Sequence, residues 1–282
     1  MVAYLEGVAC RIVSGCPYTD SKLVAWIHVE QHTKKGASHC FRTIKEMNTC
    51  YNKFSLVACV AETVKKDFES LVELKNPPIV LYNVNETDKI REQAKESLEG
   101  FEFSNEVNLI SVGRLVYEKG FDRLLNVHKK LLENGVKNHL YILGAGRLEE
   151  ELKKQAKDLG VLETAHFLGF NKNPYKYVKN ADLFVCSSRR EGFSTAVTEA
   201  LVVGTPVVST NCSGAYELLG ENNEYGVVTS QDENELYLAV ENVIKNSLKN
   251  YKEKAKLRGD YFSKEKSIIA IENAVDSLFI CE

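Results

Sequence analysis

From residue 107 onward the chain alternates short, unbroken apolar runs with longer segments whose apolar residues recur at helical spacing. That alternation constrains the fold more than any other feature. Residues 108–113, 140–143, 165–168, 183–186, 206–209 and 226–229 are dominated by Val, Ile, Leu and Phe, and each reads as a strand buried on both faces. Between the first two, Phe121, Leu124, Leu125, His128, Leu131 and Leu132 fall on one helical face. Leu148, Leu152, Ala156 and Leu159 do the same after the second. Strands of this kind separated by helices imply a parallel sheet covered on both sides, and six in succession imply a doubly wound α/β domain of the nucleotide-binding sort. Right-handed crossovers then bring the C-terminal ends of the strands to one edge, where such sheets bind their ligands.

Residues 1–83 repeat the alternation in a shorter form. Strands are expected at 24–27, 56–60 and 79–82, with helices near 38–50 and 62–73, which makes a smaller, partial domain. Residues 84–106 are polar and charge-rich and read as a linker carrying one short helix around 90–98. The larger domain would span 107–262. In the tail, 263–282, Ile268, Ile269, Ile271, Ala274, Val275 and Leu278 lie on a broad apolar helix face, expected to pack back toward the N-terminal half.

Charge and cysteine usage narrow the function. A net charge of -3 lacks the basic surplus that bulk binding to nucleic acid requires. No run approaches the roughly 18 to 20 apolar residues of a membrane span, and no basic segment followed by an apolar stretch opens the chain. The eight cysteines include no Cys-x-x-Cys pair, and Cys186 sits in an apolar strand-like run, so a reducing cytoplasm is the expected compartment. His28 and His32 have no Glu or Cys at suitable spacing, and no metal is expected.

Two stretches carry candidate chemistry. The first runs from Ser187 to Glu199: it follows a strand, turns at Gly192 and opens a helix with Ser194 or Thr195 as N-cap. Such a turn offers unpaired N–H groups and a positive helix end to a phosphate. Glu191 in the turn and Glu199 on the helix suit a ligand that also bears hydroxyls, although a capped helix with surface glutamates has the same sequence. The second stretch, residues 111–121, ends the first strand of the domain and carries Arg114 and Lys119 toward the same edge. Two cations there would neutralise a diphosphate, the arginine bidentately. Gly144 and Gly146 form a further turn open to backbone contact, a weak signal by itself.

These pieces together resemble the retaining GT-B glycosyltransferases of the large sucrose-synthase-like and mannosyltransferase-like family, glycosyl transferases group 1. The likeness is carried by Gly113, Arg114 and Leu115 with Glu118, Lys119 and Gly120, by the turn at 143–146, and by residues 166–169 and 181–185. Glu191 with Glu199, and residues 200–208, complete it. In the N-terminal part, residues 5–7, 26–30, 60–62 and 82–83 are similar too. The resemblance implies a Rossmann-like C-terminal domain that binds a nucleoside-diphosphate sugar, UDP-linked by preference, and no separate cofactor. Gly113, Arg114, Lys119 and Gly144 would then contact the donor, with Arg114 and Lys119 holding the diphosphate and stabilising the leaving group. Glu191, with the backbone of Gly192 and Phe193, would hold the sugar hydroxyls. Ser194 and Thr195 would give N–H groups to phosphate, Glu199 would accept from the ribose, and Gly169 and Phe170 would hold the base. His28 matches a histidine that approaches the transferring sugar. The implied reaction moves a hexose, with retention, onto a glycan or lipid-linked acceptor in cell-surface polysaccharide synthesis, by a chain in the cytoplasm or peripherally at the inner face of the membrane.

One departure from the family pattern bears on activity. The similarity at residues 5–7 corresponds to a point past the usual opening strands, so the N-terminal Rossmann-like domain reads as truncated, short by on the order of 100 residues. A non-catalytic chain that binds nucleotide-sugar, or a fragment needing a partner for its acceptor site, is the alternative expectation. A dinucleotide oxidoreductase is not, because the residues from Gly113 to Glu118 lack Gly-x-Gly-x-x-Gly.

Overall fold

The computed structural model describes residues 1–18 and 20–280; Cys281 and the end of the tail lie outside the described residues. The chain divides into two compact bodies, Met1–Val84 with Glu265–Glu282, and Asn85–Lys264.

The smaller body is built on a four-stranded parallel sheet in the order β1-β2-β3-β4, with β1 at Val2–Ala3, β2 at Val24–Ile27, β3 at Leu56–Cys59 and β4 at Ile79–Val80. Its helices are α1 (Val8–Val13), α2 (Lys34–Ser38), α3 (Ile44–Tyr51) and α4 (Glu62–Leu71). β1 and α1 are not foreseen by pattern, since two residues cannot display alternation and residues 8–13 span less than two helical turns. The helix expected near 38–50 is broken in two, and the cause is local. Thr43 leaves helical geometry and its hydroxyl accepts from the Glu46 N–H at 3.0 Å, while the Glu46 carboxylate accepts from the Arg42 N–H at 2.6 Å. This variant of a capping box restarts the helix at Ile44.

The larger body opens with α5 (Thr87–Gln93), so part of the segment expected as a linker is folded: Thr87, Ile90 and Ala94 are buried. Then follow β5 (Val107–Val112), α6 (Phe121–Glu133), β6 (Asn138–Leu143), α7 (Glu149–Asp158), β7 (Ala165–Gly169), α8 (Tyr175–Asn180) and β8 (Leu183–Cys186). The series ends with α9 (Thr195–Val203), β9 (Val207–Thr210), α10 (Ala215–Leu219), β10 (Val227–Thr229), α11 (Glu233–Asn246) and α12 (Leu248–Tyr261). All six strands are parallel, in the order β10-β9-β8-β5-β6-β7. The expected doubly wound α/β architecture is therefore the one adopted. Leu109, Leu124, Leu125, Leu131, Leu140, Leu183, Val208, Leu236 and Val240 are fully inaccessible, each contributing about 1.5–3 kcal/mol by leaving water. The chain winds from β5 through β6 to β7 in one direction and from β8 through β9 to β10 in the other. The switch point lies between β5 and β8, which pair through Leu109 with Leu183 and Ile110 with Phe184.

A last helix, α13 (Lys264–Ile280), carries the apolar tail. Ile268, Ile271, Ala274, Val275 and Leu278 are half-buried, while Ile269 is exposed. Among the described residues no helix is long and apolar enough to cross a membrane.

Candidate functional site

The crevice at a switch point is where a doubly wound sheet takes its ligand, and the loops that leave β5 and β8 are joined there. After β5 the chain passes Gly113 and Arg114, makes a short 3-10 turn at Tyr117–Lys119 and reaches Gly120 with φ 64. A Cβ on Gly120 would stand 2.1 Å from the Ser187 carbonyl oxygen, so the close approach of the two loops, together with the positive φ, requires glycine there. The backbone N–H of Arg189 donates to the Glu118 carbonyl at 2.7 Å, and the Ser187 hydroxyl donates to the Lys119 carbonyl at 3.1 Å.

Across this seam lies an ion pair. Lys119 Nζ donates to Glu191 Oε1 at 2.6 Å, and the same oxygen accepts from the Ser188 hydroxyl at 2.6 Å. The two charged side chains are 20% and 11% exposed, so the pair is shielded on most sides but open to the edge. The Lys119 stem runs along Gly113, where an added Cβ would touch its Cδ at 3.4 Å. Arg114 stands apart: its side chain is exposed and makes no hydrogen bond or ion pair with the described residues. A second pair braces the seam from outside. Arg189 grips Asp122 with both nitrogens, at 2.7 and 2.6 Å, and its guanidinium lies 4.2 Å from the Tyr117 ring centre.

The Glu191 loop leads into α9, whose N-cap is Ser194; its hydroxyl accepts from the Val197 N–H at 3.5 Å, while Thr195 is exposed. Glu199 lies on the first turns of this helix. Burial pushes its carboxyl up to about 7, and the Tyr175 hydroxyl, donating at 3.4 Å, pulls the other way. Phe193 is the member of the predicted set whose side chain faces away. It is buried, with its ring 5.6 Å from that of Phe262, and so has only backbone to offer at the edge.

The other half of the edge is apolar. Gly113, Arg114, Gly144 and Phe170 line a cavity of ≈ 270 Å³ together with Leu143 and Pro174. Its tight floor explains the glycines. A Cβ on Gly144, at φ 146, would stand 1.8 Å from the Gly113 carbonyl oxygen, and the Gly144 N–H donates to the Gly169 carbonyl at 2.9 Å. Phe170 is 74% exposed beside it.

The predicted residues of the larger body thus gather along one edge, the Phe193 ring excepted. His28 belongs to the smaller body, just past the end of β2. Its N–H donates to Glu6 at 2.9 Å, its ring lies 4.8 Å from that of Tyr4, and its Nε2 is buried with no hydrogen-bond partner among the described residues. Burial lowers its pKa, with Glu6 and the Tyr4 backbone opposing, which favours the neutral imidazole. Sequence reasoning missed Ser188, Tyr175, Asp122 and Arg189. Of these, Ser188 was within reach, being three residues from Glu191 in a turn.

Comparisons with known proteins show the family and the fold. The family described as glycosyl transferases group 1 matches residues 92–258. An uncharacterised glycosyltransferase of Methanocaldococcus jannaschii is 34% identical over 174 residues, covering 60% of this chain and 43% of that protein. The N-acetylgalactosamine-N,N'-diacetylbacillosaminyl-diphospho-undecaprenol 4-alpha-N-acetylgalactosaminyltransferase of Campylobacter jejuni is 35% identical over 191 residues, covering 66% and 50%. The chain therefore spans about half the length of the curated relatives it matches. Among solved structures, Anabaena HepE in complex with UDP superposes with a TM-score of 0.82 at 19% identity, over 95% of this chain and 76% of that one. At that identity the likeness speaks for the fold, an α/β fold of the GT-B type with Rossmann-like sheets.

Proposed function

The chain belongs to the glycosyl transferases group 1 family, and from that premise we propose that it binds a UDP-hexose at the strand-end edge of the larger body and transfers the hexose, with retention, to a glycan or lipid-linked acceptor of cell-surface polysaccharide. The observation that carries this reading is the Lys119–Glu191–Ser188 arrangement at the switch point, beside an unpaired Arg114 and an apolar cavity. A diphosphate entering the crevice draws Lys119 away from Glu191. That exchange does two things together: the ammonium turns to phosphate, and the released carboxylate is free to accept from sugar hydroxyls. Arg114 closes on the phosphates from the solvent side, and the N–H groups at the start of α9, around Ser194 and Thr195, meet them from below. Gly192 and Phe193 contribute backbone to the sugar, Glu199 accepts from the ribose, and the base lies in the apolar cavity against Phe170.

Catalysis in this reading is positional and electrostatic. As the glycosidic bond breaks, negative charge grows on the leaving diphosphate, and Arg114 and Lys119 stabilise it where it develops. The preference for UDP draws support from HepE, whose structure holds UDP. The lipid-linked acceptor draws support from the Campylobacter relative, whose name specifies a diphospho-undecaprenol glycan.

Calorimetric titration with UDP and with GDP tests the donor, and incubation with UDP-hexoses and a diphospho-undecaprenol glycan tests the transfer. The expected results are UDP binding and a product whose new linkage has the anomeric configuration of the donor, read by NMR. Failure of both nucleotides to bind overturns the donor site. Binding without any transfer leaves a nucleotide-sugar-binding chain, and an inverted linkage overturns retention.

A further inference from the structure

Arg123 is buried to 6% exposure in the first turn of α6. It occupies a core position of that helix, since Val127 and Leu131, one and two turns on, are fully inaccessible. An ionised group in such a place costs several kcal/mol unless its donors are satisfied. Here each of its three nitrogens has a partner, and all three partners are neutral oxygens. Nε donates to the Ser187 carbonyl at 2.8 Å, Nη1 to the Gln231 carbonyl at 2.9 Å, and Nη2 to the Gln231 side-chain oxygen at 2.7 Å. Asp122, next in the chain, is engaged by Arg189.

Gln231 extends the fork. Its side-chain nitrogen donates to the Asn211 carbonyl at 2.6 Å and to the Ser188 carbonyl at 3.3 Å. The Thr210 hydroxyl also donates to the Ser188 carbonyl, at 2.6 Å. One guanidinium therefore ties the start of α6 to the loops that leave β8, β9 and β10. The residues it fixes are informative. Ser187 and Ser188 stand directly between Arg123 and the donor-site pair: the Ser187 hydroxyl reaches the Lys119 carbonyl, and the Ser188 hydroxyl reaches Glu191. For stability alone, a well-packed apolar side chain at this core position serves as well as a buried ion. What the planar fork supplies, and an apolar residue does not, is direction at two carbonyls.

We propose that Arg123, with Gln231 as its relay, is a positioning residue for the diphosphate half of the donor site, acting through Ser187 and Ser188 on the Lys119–Glu191 pair. The proposal rests on the UDP-sugar reading above. It requires that loss of the fork weaken the grip on phosphate while sparing the base, which meets the loops after β6 and β7, and the ribose, which meets the body of α9.

The test compares UDP with uridine on the whole chain, for the native protein and for Arg123→Lys, Arg123→Met and Gln231→Ala, with thermal melting recorded for each. Expected is a loss of about tenfold in UDP affinity for the Arg123 variants, the scale of one or two misdirected charge-assisted hydrogen bonds, with uridine affinity unchanged. Gln231→Ala shows a smaller loss of the same kind, and the double variant Arg123→Met with Gln231→Ala is no weaker than Arg123→Met alone, because both act through one contact. A purely structural role lowers the melting temperature and leaves both affinities of the folded protein intact, or reduces them equally; either result overturns the proposal. Should Arg123→Met fail to fold, Arg123→Lys and the exposed Gln231→Ala still decide it. If the native chain does not bind UDP, the donor reading fails first; if it binds and the variants match it, only this inference fails.

Discussion

Where β5 and β8 end, Lys119, Glu191 and Ser188 already satisfy one another at 2.6 Å, and the loops that carry them are bonded together along their length. On the neighbouring side, where β6 and β7 end, the same edge presents an apolar cavity of ≈ 270 Å³ and a phenyl ring that is 74% exposed. A ligand gains different things from the two halves. On the polar side the bond from Lys119 to phosphate replaces one the protein already has, so its share of the affinity is a difference between two charge-assisted contacts. On the apolar side nothing need be broken, and affinity comes from apolar area leaving water. The polar half is therefore sensitive to single charges and to salt, and the apolar half to neither.

The largest effect belongs to Lys119→Ala. It removes a cation from phosphate and also strands Glu191, only 11% exposed, with Ser188 as its remaining partner facing an incoming dianion. Loss of one partner from such a shielded pair costs about 3 kcal/mol or more, over a hundredfold in UDP affinity. Arg114→Ala ranks next, at about 2 kcal/mol, since its guanidinium is unpaired and leaves no buried charge behind. Both are measured by calorimetry. The comparison breaks if Arg114→Ala proves the more damaging, because the pre-formed pair would then be a bystander.

How much of this was legible depended on how local the cause was. β5, β6, β8 and β9 announce themselves because strands buried on both faces are unbroken apolar runs. β1 and α1 could not, being too short to display a period. Glu191, Glu199, Arg114 and Lys119 stood out as charges beside strand ends, yet the Lys119–Glu191 contact joins residues 72 apart, and pairing at that range is set by sheet order. Arg123 is visible in the sequence as a cation in register with Val127 and Leu131 on the core face. Its partners were beyond any pattern, because they are chiefly carbonyls, which every residue has.

Phe170→Ala sharpens the apolar side. Its ring is mostly exposed in the free protein, so the fold should barely notice: melting stays within a degree or so, as for other exposed substitutions. Base binding should notice, by about 1–1.5 kcal/mol for a lost stacking partner. UDP and uridine should lose affinity in the same proportion, and the loss should persist at high salt, where the Lys119 and Arg114 effects shrink. If UDP loses affinity and uridine does not, Phe170 lies on the phosphate side and the division of the edge is misplaced.

The smallest effect lies where the halves meet, at Glu199, whose carboxyl burial pushes up to about 7 with Tyr175 opposing. A carboxyl with a raised folded-state pKa binds more protons folded than unfolded, so stability falls as pH rises from the ordinary carboxylate range to about 7 and is level beyond it. Glu199→Gln, which cannot ionise, should therefore melt several degrees above the native chain at pH 8 and alongside it near pH 5. The ribose sees the opposite trend, because only the ionised carboxylate accepts from both hydroxyls. Native uridine affinity should rise a few-fold between pH 6 and pH 8, and that slope should vanish in Glu199→Gln. A slope that survives the substitution assigns the titration to another group and removes Glu199 from the ribose; a slope that vanishes while the melting curves coincide at pH 8 means the carboxylate is better solvated than its burial implies.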